Sequence, residues 1–225
     1  MQNSKCKISE LRSAERITDF DTAFYAPWEE IIAKALAEIP PIWYNKDNRS
    51  PKKENEMRNP MMPDYMFRAF DEITPAFLAS LGVKAILADI DNTLAPYEQA
   101  EPDERIKGWI ASLTEAGIGI AFVSNNDWER VKLFNATLGV PAYAKSGKPF
   151  KKNLVKAMND LGGTLETTVM LGDQLLTDAL AGHNLGVKCL IVPPIRDKKN
   201  AFFKFKRWLE KPVVKKFKRR NGIGW

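Results

Sequence analysis

The chain has 225 residues, of which 44% are hydrophobic, and its formal net charge is +6. This length and apolar content predict a soluble globular protein with one domain of ordinary size and an appendage. No run approaches the roughly 18 to 20 uncharged apolar residues that span a bilayer, which excludes a membrane-spanning class. The start lacks the apolar core of a secretory signal peptide, and Cys6 and Cys189 offer neither a disulfide framework nor a CxxC metal pair. We therefore expect a cytoplasmic location.

Three segments are predicted along the chain. Residues 28–39 carry apolar side chains at helical spacing, and the polar, proline-punctuated run that follows, over 45–63, is typical of a linker or long loop. Residues 196–225 hold 12 Lys and Arg against two acidic residues, whereas residues 1–195 hold 22 basic and 26 acidic ones. We predict an N-terminal helical extension and linker over 1–58, a core domain over 59–195, and a basic, aromatic C-terminal tail over 196–225.

Strand-like and helical patterns alternate through the core domain. The predicted strands cover residues 83–90, 118–124, 140–144, 168–171 and 187–192. The predicted helices cover about 103–116, 127–138, 150–161 and 175–185. Such alternation implies right-handed βαβ crossovers, and therefore an α/β, Rossmann-like three-layer sandwich with a mainly parallel five-stranded sheet.

Polar side chains follow four of these predicted strands. They are Asp89, Asp91 and Thr93 after the first, Ser124 and Asn125 after the second, Lys148 after the third, and Asp173 and Asp178 after the fourth. The carboxyl ends of parallel strands meet at one edge of the sheet, where ligands bind. We therefore expect all eight side chains to gather in one site.

The chemistry of these side chains is coherent. Asp89 and Asp173 supply the hard oxygen ligands that Mg²⁺ prefers, and the cation offsets the repulsion between clustered carboxylates. A carboxylate beside Mg²⁺ can attack phosphorus and form an acyl phosphate. Asp91 can protonate the leaving group and then deprotonate water. Ser124 and Lys148 can stabilise the transferring phosphoryl group.

The motifs "DIDNT", "VSNN", "GKP" and "GDQLLTD" occur in this order and resemble motifs I to IV of the haloacid dehalogenase (HAD) superfamily. The wider sequence is similar to the YqeG-type, class IIIA HAD phosphatases, a group related to the mitochondrial phosphatidylglycerophosphatases. The resemblance covers about residues 60 to 220. It implies a HAD-like Rossmannoid fold, Mg²⁺ dependence and phosphomonoester hydrolysis.

The resemblance also assigns roles to the motif residues. It implies that Asp89 is the nucleophile and Asp91 the acid/base, and that Asp89, Asp91 and Asp173 hold the metal. The phosphate-binding residues that it implies are Thr93, Ser124, Asn125 and Lys148. Asp178 would orient the lysine or the metal waters. Lys145 remains an alternative to Lys148, because "AKSGKP" offers both.

Only 31 positions separate Thr93 from Ser124, and the predicted helix over 103–116 uses many of them. There is no room here for the large cap domain that many relatives insert. An open site suits a bulky substrate, such as a lipid headgroup or a macromolecule.

The basic tail interleaves aromatic and cationic residues. Phe202, Phe205 and Leu209 can share one helical face, with lysine and arginine elsewhere on the helix. This composition favours contact with an anionic membrane surface. Packing of the tail on the protein body is the second interpretation, and contact with RNA or ribosomes the third.

The function predicted is dephosphorylation of phosphatidylglycerophosphate to phosphatidylglycerol at the inner face of the membrane. One alternative is a phosphatase of a soluble metabolite or a phosphoprotein. Another is a non-catalytic scaffold or nucleic-acid-associated protein that kept the fold.

Overall fold

The computed structural model describes residues 59–196 and 201–224. The helix predicted over 28–39 and most of the predicted linker lie outside these ranges. Within them, no helix is long and apolar enough to cross a membrane.

A parallel β-sheet organises the described part of the chain. Its strands are β1 (Tyr65–Met66), β2 (Ala85–Ala88), β3 (Gly119–Val123), β4 (Ala142–Tyr143), β5 (Thr168–Gly172) and β6 (Lys188–Ile191). The spatial order is β1-β6-β5-β2-β3-β4, and each neighbouring pair is parallel. The prediction of a mainly parallel sheet is confirmed, with six strands rather than five. Strand β1 was not predicted, because a two-residue strand leaves no alternating run of apolar residues.

Helices connect the strands. They are α1 (Pro75–Ser80), α2 (Glu104–Glu115), α3 (Trp128–Asn135), α4 (Lys152–Asp160), α5 (Leu180–Leu185) and α6 (Ala201–Arg220). Asp103 and Asp127 accept hydrogen bonds from backbone amides in the first turns of α2 and α3, so side-chain caps fix where these helices begin. Gly186 adopts the left-handed conformation that ends α5. The helix predicted over 175–185 starts as a π-helix (Leu175–Ala179), which α5 continues.

The sheet is covered on both faces. In β2, Ile86 and Ala88 belong to one hydrophobic cluster with side chains of α2 and α3, whereas Leu87 belongs to another with side chains of α4 and α5. Successive side chains of a strand point to opposite faces, so these two clusters are two separate layers of core. This is the three-layer α/β sandwich that the alternating pattern predicts.

The topology places three acidic or polar strand ends side by side. β2 lies between β3 and β5 in the sheet. Asp89 directly follows β2, Ser124 directly follows β3, and Asp173 directly follows β5. The chain between β2 and α2 is residues 89–103, which leaves no room for a cap domain at this edge.

The predicted tail contains the 20-residue helix α6. Its buried positions are Lys206, Glu210, Val213 and Phe217, which recur at helical spacing. Phe205 and Leu209, which we expected on one apolar face, are 53% and 37% exposed. The helix therefore packs on the protein body through a face that is half polar, and it leaves aromatic side chains outside.

Candidate active site

Asp89 occupies the centre of the polar cluster at the carboxyl end of the sheet. It is only 6% exposed, and its backbone N–H donates to Leu171 O at 2.9 Å, which extends the pairing of β2 with β5. One carboxylate oxygen, Oδ1, lies 2.7 Å from Lys148 Nζ. The other, Oδ2, accepts a hydrogen bond of 3.3 Å from the Thr93 hydroxyl. The side chain is therefore fixed at both oxygens by residues that the motifs predicted to lie beside it.

Lys148 is the lysine that the structure brings to this cluster. Its side chain is 2% exposed, and its ammonium also lies 2.7 Å from Asp178 Oδ1. The loop that carries it is held by Asn125, whose Oδ1 accepts from Lys148 N at 2.8 Å and whose amide donates to Lys148 O at 2.9 Å. The alternative, Lys145, is an exposed residue. Asn125 thus contacts the backbone around the lysine and positions it.

Three carboxylates form a group that could hold a cation. Asp89, Asp173 and Asp178 each offer one oxygen, and these atoms lie within 4.8 Å of one another. Asp173 Oδ1 is buried and has no hydrogen-bond partner among the described residues. Clustered carboxylate oxygens with an unpaired member fit a hard divalent cation such as Mg²⁺. The donor set therefore fits the metal that the motifs predicted.

Burial and mutual repulsion shift the titration of the cluster. Burial raises the pKa of Asp89 to about 8, with the Lys148 ammonium opposing the shift and the carboxylates of Asp178 and Asp173 adding to it. Burial also raises the pKa of Asp173 to about 6, against the attraction of Arg207. Burial disfavours the charged form of Lys148, yet Asp178 and Asp89 outweigh this and raise the pKa of the lysine. A cation among these groups would favour the ionised carboxylates.

The carboxylate of Asp91 does not belong to this trio, and two residues outside the motif assignments, Asn126 and Arg130, contact it. The Asn126 amide donates to Asp91 Oδ2 at 3.1 Å, and Arg130 Nε donates to Oδ1 at 3.2 Å. Arg130 lies in the first turn of α3, and its backbone N–H donates to the capping side chain of Asp127. The cap therefore fixes the backbone position from which the arginine side chain extends. The carboxylate of Asp91 is therefore oriented by an amide and a guanidinium, and it lies outside the group of three acids that could share a metal.

Ser124 is buried at the end of β3, and its hydroxyl oxygen accepts from Asn126 N at 3.1 Å. Its backbone carbonyl accepts from Ser146 N, which ties the end of β3 to the loop of Lys148. Asp178 Oδ2 accepts from Gln174 N at 3.0 Å, so the π-helix fixes this acid while its other oxygen faces the lysine. Each of the eight predicted site residues thus lies at the carboxyl edge of the sheet.

Two further site residues come from α6, far along the chain. Arg207 donates to both the carboxylate and the backbone carbonyl of Asp173, and Glu210 accepts from Arg207 and from Leu176 N. The composition of the tail gave no indication of this role, because an arginine among 12 basic residues carries no positional signal. The pairings of Asp91 were equally hidden, since 35 and 39 residues separate it from Asn126 and Arg130.

Comparison with known proteins gives a family match. The family model described as haloacid dehalogenase-like hydrolase matches residues 17–186. This match begins well before the span of about 60 to 220 that the motifs predicted. The protein described as "Probable phosphatase YqeG" from Bacillus subtilis (strain 168) is 35% identical over 164 residues, which cover 73% of this chain and 95% of that protein.

Solved structures with a similar arrangement are more distant. The cobalt-bound deoxy-D-mannose-octulosonate 8-phosphate phosphatase from Haemophilus influenzae is 18% identical, with a TM-score of 0.43. The aligned region covers 59% of this chain and 90% of that protein. A 3-deoxy-D-manno-octulosonate 8-phosphate phosphatase from Moraxella catarrhalis is 16% identical, with a TM-score of 0.38. Here the aligned region covers 68% of this chain and 98% of that protein.

Proposed function

The chain belongs to the haloacid dehalogenase-like hydrolases, and we propose that it is a Mg²⁺-dependent phosphomonoesterase that works through a phosphorylated Asp89. The family match and the identity to a probable phosphatase support the phosphatase class. The observation that carries the mechanism is the position of Asp89, buried beside Lys148 Nζ at 2.7 Å and within 4.8 Å of two further carboxylates.

In the first step, a carboxylate oxygen of Asp89 forms a bond to phosphorus as the bond from phosphorus to the leaving alkoxide breaks. Asp91 donates its proton to that alkoxide, and Asn126 and Arg130 hold it in place for this transfer. Mg²⁺ held by Asp89 and Asp173 would neutralise charge on the phosphoryl oxygens. In the second step, Asp91 takes a proton from water, the water oxygen bonds to phosphorus, and phosphate leaves Asp89.

The remaining site residues bind and position the phosphoryl group. The Ser124 hydroxyl directly follows β3 and can donate to its oxygens, since it only accepts from Asn126 N. The Thr93 hydroxyl, which donates to Asp89 Oδ2, would have to turn from that oxygen to bind the phosphoryl group. The Lys148 ammonium adds positive charge where negative charge collects in the transition state. Asn125 and Asp178 act through this lysine, Asn125 by holding its backbone and Asp178 by contacting its ammonium.

For the substrate, we propose phosphatidylglycerophosphate at the cytoplasmic face of an anionic membrane. The short 89–103 connection leaves the site open to a bulky headgroup. The outer face of α6 presents Phe205 and Trp208, 53% and 63% exposed, among exposed lysines. Aromatic and cationic side chains together favour an anionic lipid surface, to which each basic residue contributes about 1 kcal/mol. This chemistry favours lipid over nucleic acid as the partner of α6.

The test is phosphate release with and without Mg²⁺, comparing phosphatidylglycerophosphate in vesicles with p-nitrophenyl phosphate. We expect Mg²⁺-dependent turnover of the lipid and poor turnover of the soluble ester. Turnover of the soluble ester with none of the lipid would keep the phosphatase chemistry and replace the lipid by a soluble metabolite or phosphoprotein. Failure on both substrates, and on a panel of other phosphate esters, would favour a scaffold that kept the fold without catalysis.

A further inference from the structure

The C-terminal helix reaches into the site through Arg207. One guanidinium nitrogen of Arg207 donates to the backbone carbonyl of Asp173 at 2.6 Å, and the other donates to the carboxylate oxygen Oδ2. The Asp173 side chain is fully buried, whereas Arg207 retains 25% exposure. Arg207 therefore contacts Asp173 at two points, its backbone carbonyl and its carboxylate.

Glu210, one turn further along α6, completes this contact. It is 2% exposed, and its Oε2 lies 2.9 Å from Arg207 Nη1. Its other oxygen accepts from Leu176 N at 3.1 Å, at the start of the π-helix that carries Asp178. A single pair of side chains on α6 therefore contacts the segments that carry two of the three clustered acids.

The contact decides which oxygen of Asp173 is available to a ligand. Oδ2 is taken by Arg207, while Oδ1 is buried without a partner among the described residues. A planar guanidinium that bonds both the carbonyl and the carboxylate of one residue leaves little freedom for the side chain to rotate. Asp173 is thus fixed with Oδ2 engaged, and Oδ1 remains buried without a hydrogen-bond partner among the described residues.

We propose that Arg207 is a positioning residue for the divalent cation, and that Glu210 supports it. Arg207 holds Asp173 so that Oδ1 faces the cation. Helix α6 therefore contributes to metal binding through this arginine. This inference rests on the proposed function, because it requires that Asp89 and Asp173 hold a metal. Partners that orient metal ligands typically change metal affinity by about 10- to 100-fold when they are removed.

The experiment measures Mn²⁺ binding to the full chain by the electron paramagnetic resonance signal of free Mn²⁺, in the absence of substrate. Mn²⁺ takes the same oxygen-rich octahedral sites as Mg²⁺. For Arg207→Met we expect the Kd to rise about tenfold or more. For Arg207→Lys, a point charge that cannot form the two-pronged contact, we expect an intermediate rise. The matched control is Lys211→Met, which removes the same charge from an exposed position of α6 and should leave the Kd unchanged.

The outcomes separate this inference from the proposed function. If the unaltered protein binds no Mn²⁺ at the site, the proposed metal-dependent phosphatase fails, and the role of Arg207 fails with it. If the unaltered protein binds Mn²⁺ and both Arg207 variants bind it equally well, only the positioning role is overturned. Tighter binding by Arg207→Met would also overturn it, because the guanidinium would then compete with the cation for Asp173. If Arg207→Met does not fold, the comparison of Arg207→Lys with the unaltered protein decides by the same criteria.

Discussion

The Arg130 guanidinium lies 3.1 Å from Asp91 Oδ1, and both side chains are nearly buried, at 11% and 13% exposure. Arg130 is fixed in turn, because it stacks over the Phe134 ring at 5.1 Å and donates to Ala100 O at 3.3 Å. With Asn126 on the second oxygen, the acid has a defined direction rather than a set of rotamers. The general acid proposed here must reach the leaving group with its proton, so we expect this orientation to affect catalysis.

Arg130→Met should lower kcat by about tenfold or more while changing KM little, because general acid–base catalysis contributes 10²- to 10⁴-fold and depends on correct positioning. The measurement is steady-state phosphate release over a range of substrate concentrations. Lys132→Met is the matched control, since it removes one charge from an exposed position of the same helix. An increase in KM at constant kcat would show instead that Arg130 binds the substrate.

The metal-free protein should become less stable as pH rises from about 4 to about 8. Asp89, with a folded-state pKa of about 8, and Asp173, with one of about 6, both titrate near pH 3.9 when unfolded. Within this window the folded state binds more protons than the unfolded state, so rising pH favours unfolding. Thermal melts in a chelator should therefore show Tm falling with pH. With excess Mg²⁺ the fall should shrink, because binding requires the ionised carboxylates and strengthens as they lose protons.

Asp89→Asn is the control for this pH dependence. It replaces the carboxyl group by a neutral amide of similar shape, so Tm of the metal-free variant should fall less steeply with pH. The same variant should release no phosphate, since it lacks the proposed nucleophile. Parallel Tm curves for the variant and the unaltered protein would show that Asp89 does not hold its proton in the folded state.

Gly172→Ala should disrupt the site from the end of β5. A Cβ at this position would lie 2.2 Å from Asp178 Cγ, so the acid that contacts Lys148 must move. Overpacking of this kind costs about 1–3 kcal/mol, and we expect a comparable loss of unfolding free energy together with a large fall in kcat. Gly108→Ala in α2 is the control, because a Cβ there meets open space and should raise stability by about 0.5–1 kcal/mol. Unchanged kcat in Gly172→Ala would mean that Asp178 is not needed in its present position.

The part of the site that the sequence predicted consists of residues placed by topology. Parallel strands end at one edge, so Asp89, Ser124 and Asp173 needed only the order of their strands to be brought together. Helical patterns likewise located α2 and α3 to within a few residues.

The parts that the sequence could not predict depend on packing between distant segments. Arg130 and Arg207 meet their aspartates only after α3 and α6 have docked, and no spacing rule links them. The buried face of α6 was not predicted either, since the only face that the sequence indicated was the one shared by Phe202, Phe205 and Leu209. The buried face instead includes Lys206 and Glu210, because Glu210 finds donors in Arg207 and Leu176.

The contacts of Arg207 also change how the membrane hypothesis for α6 must be tested. Deleting residues after Arg196 would remove Arg207 and Glu210 and should therefore lower turnover of every substrate, whatever α6 does at a membrane. Substitutions on the outer face separate the two roles. Phe205 and Trp208 stack with ring centroids 6.0 Å apart and lie outside the buried face.

Replacing both Phe205 and Trp208 by alanine should weaken binding to vesicles with anionic lipid by more than about tenfold, the factor that about 1.4 kcal/mol of lost apolar burial carries. Turnover of lipid in those vesicles should fall with it, while turnover of p-nitrophenyl phosphate should stay the same. Vesicle sedimentation and phosphate release measure the two effects. Leu165→Ala, at a 44% exposed apolar residue before β5, is the control and should change neither. Equal vesicle binding by the double variant and the unaltered protein would exclude this face as the membrane contact. An equal loss of activity on both substrates would show instead that the two aromatic residues are needed for folding.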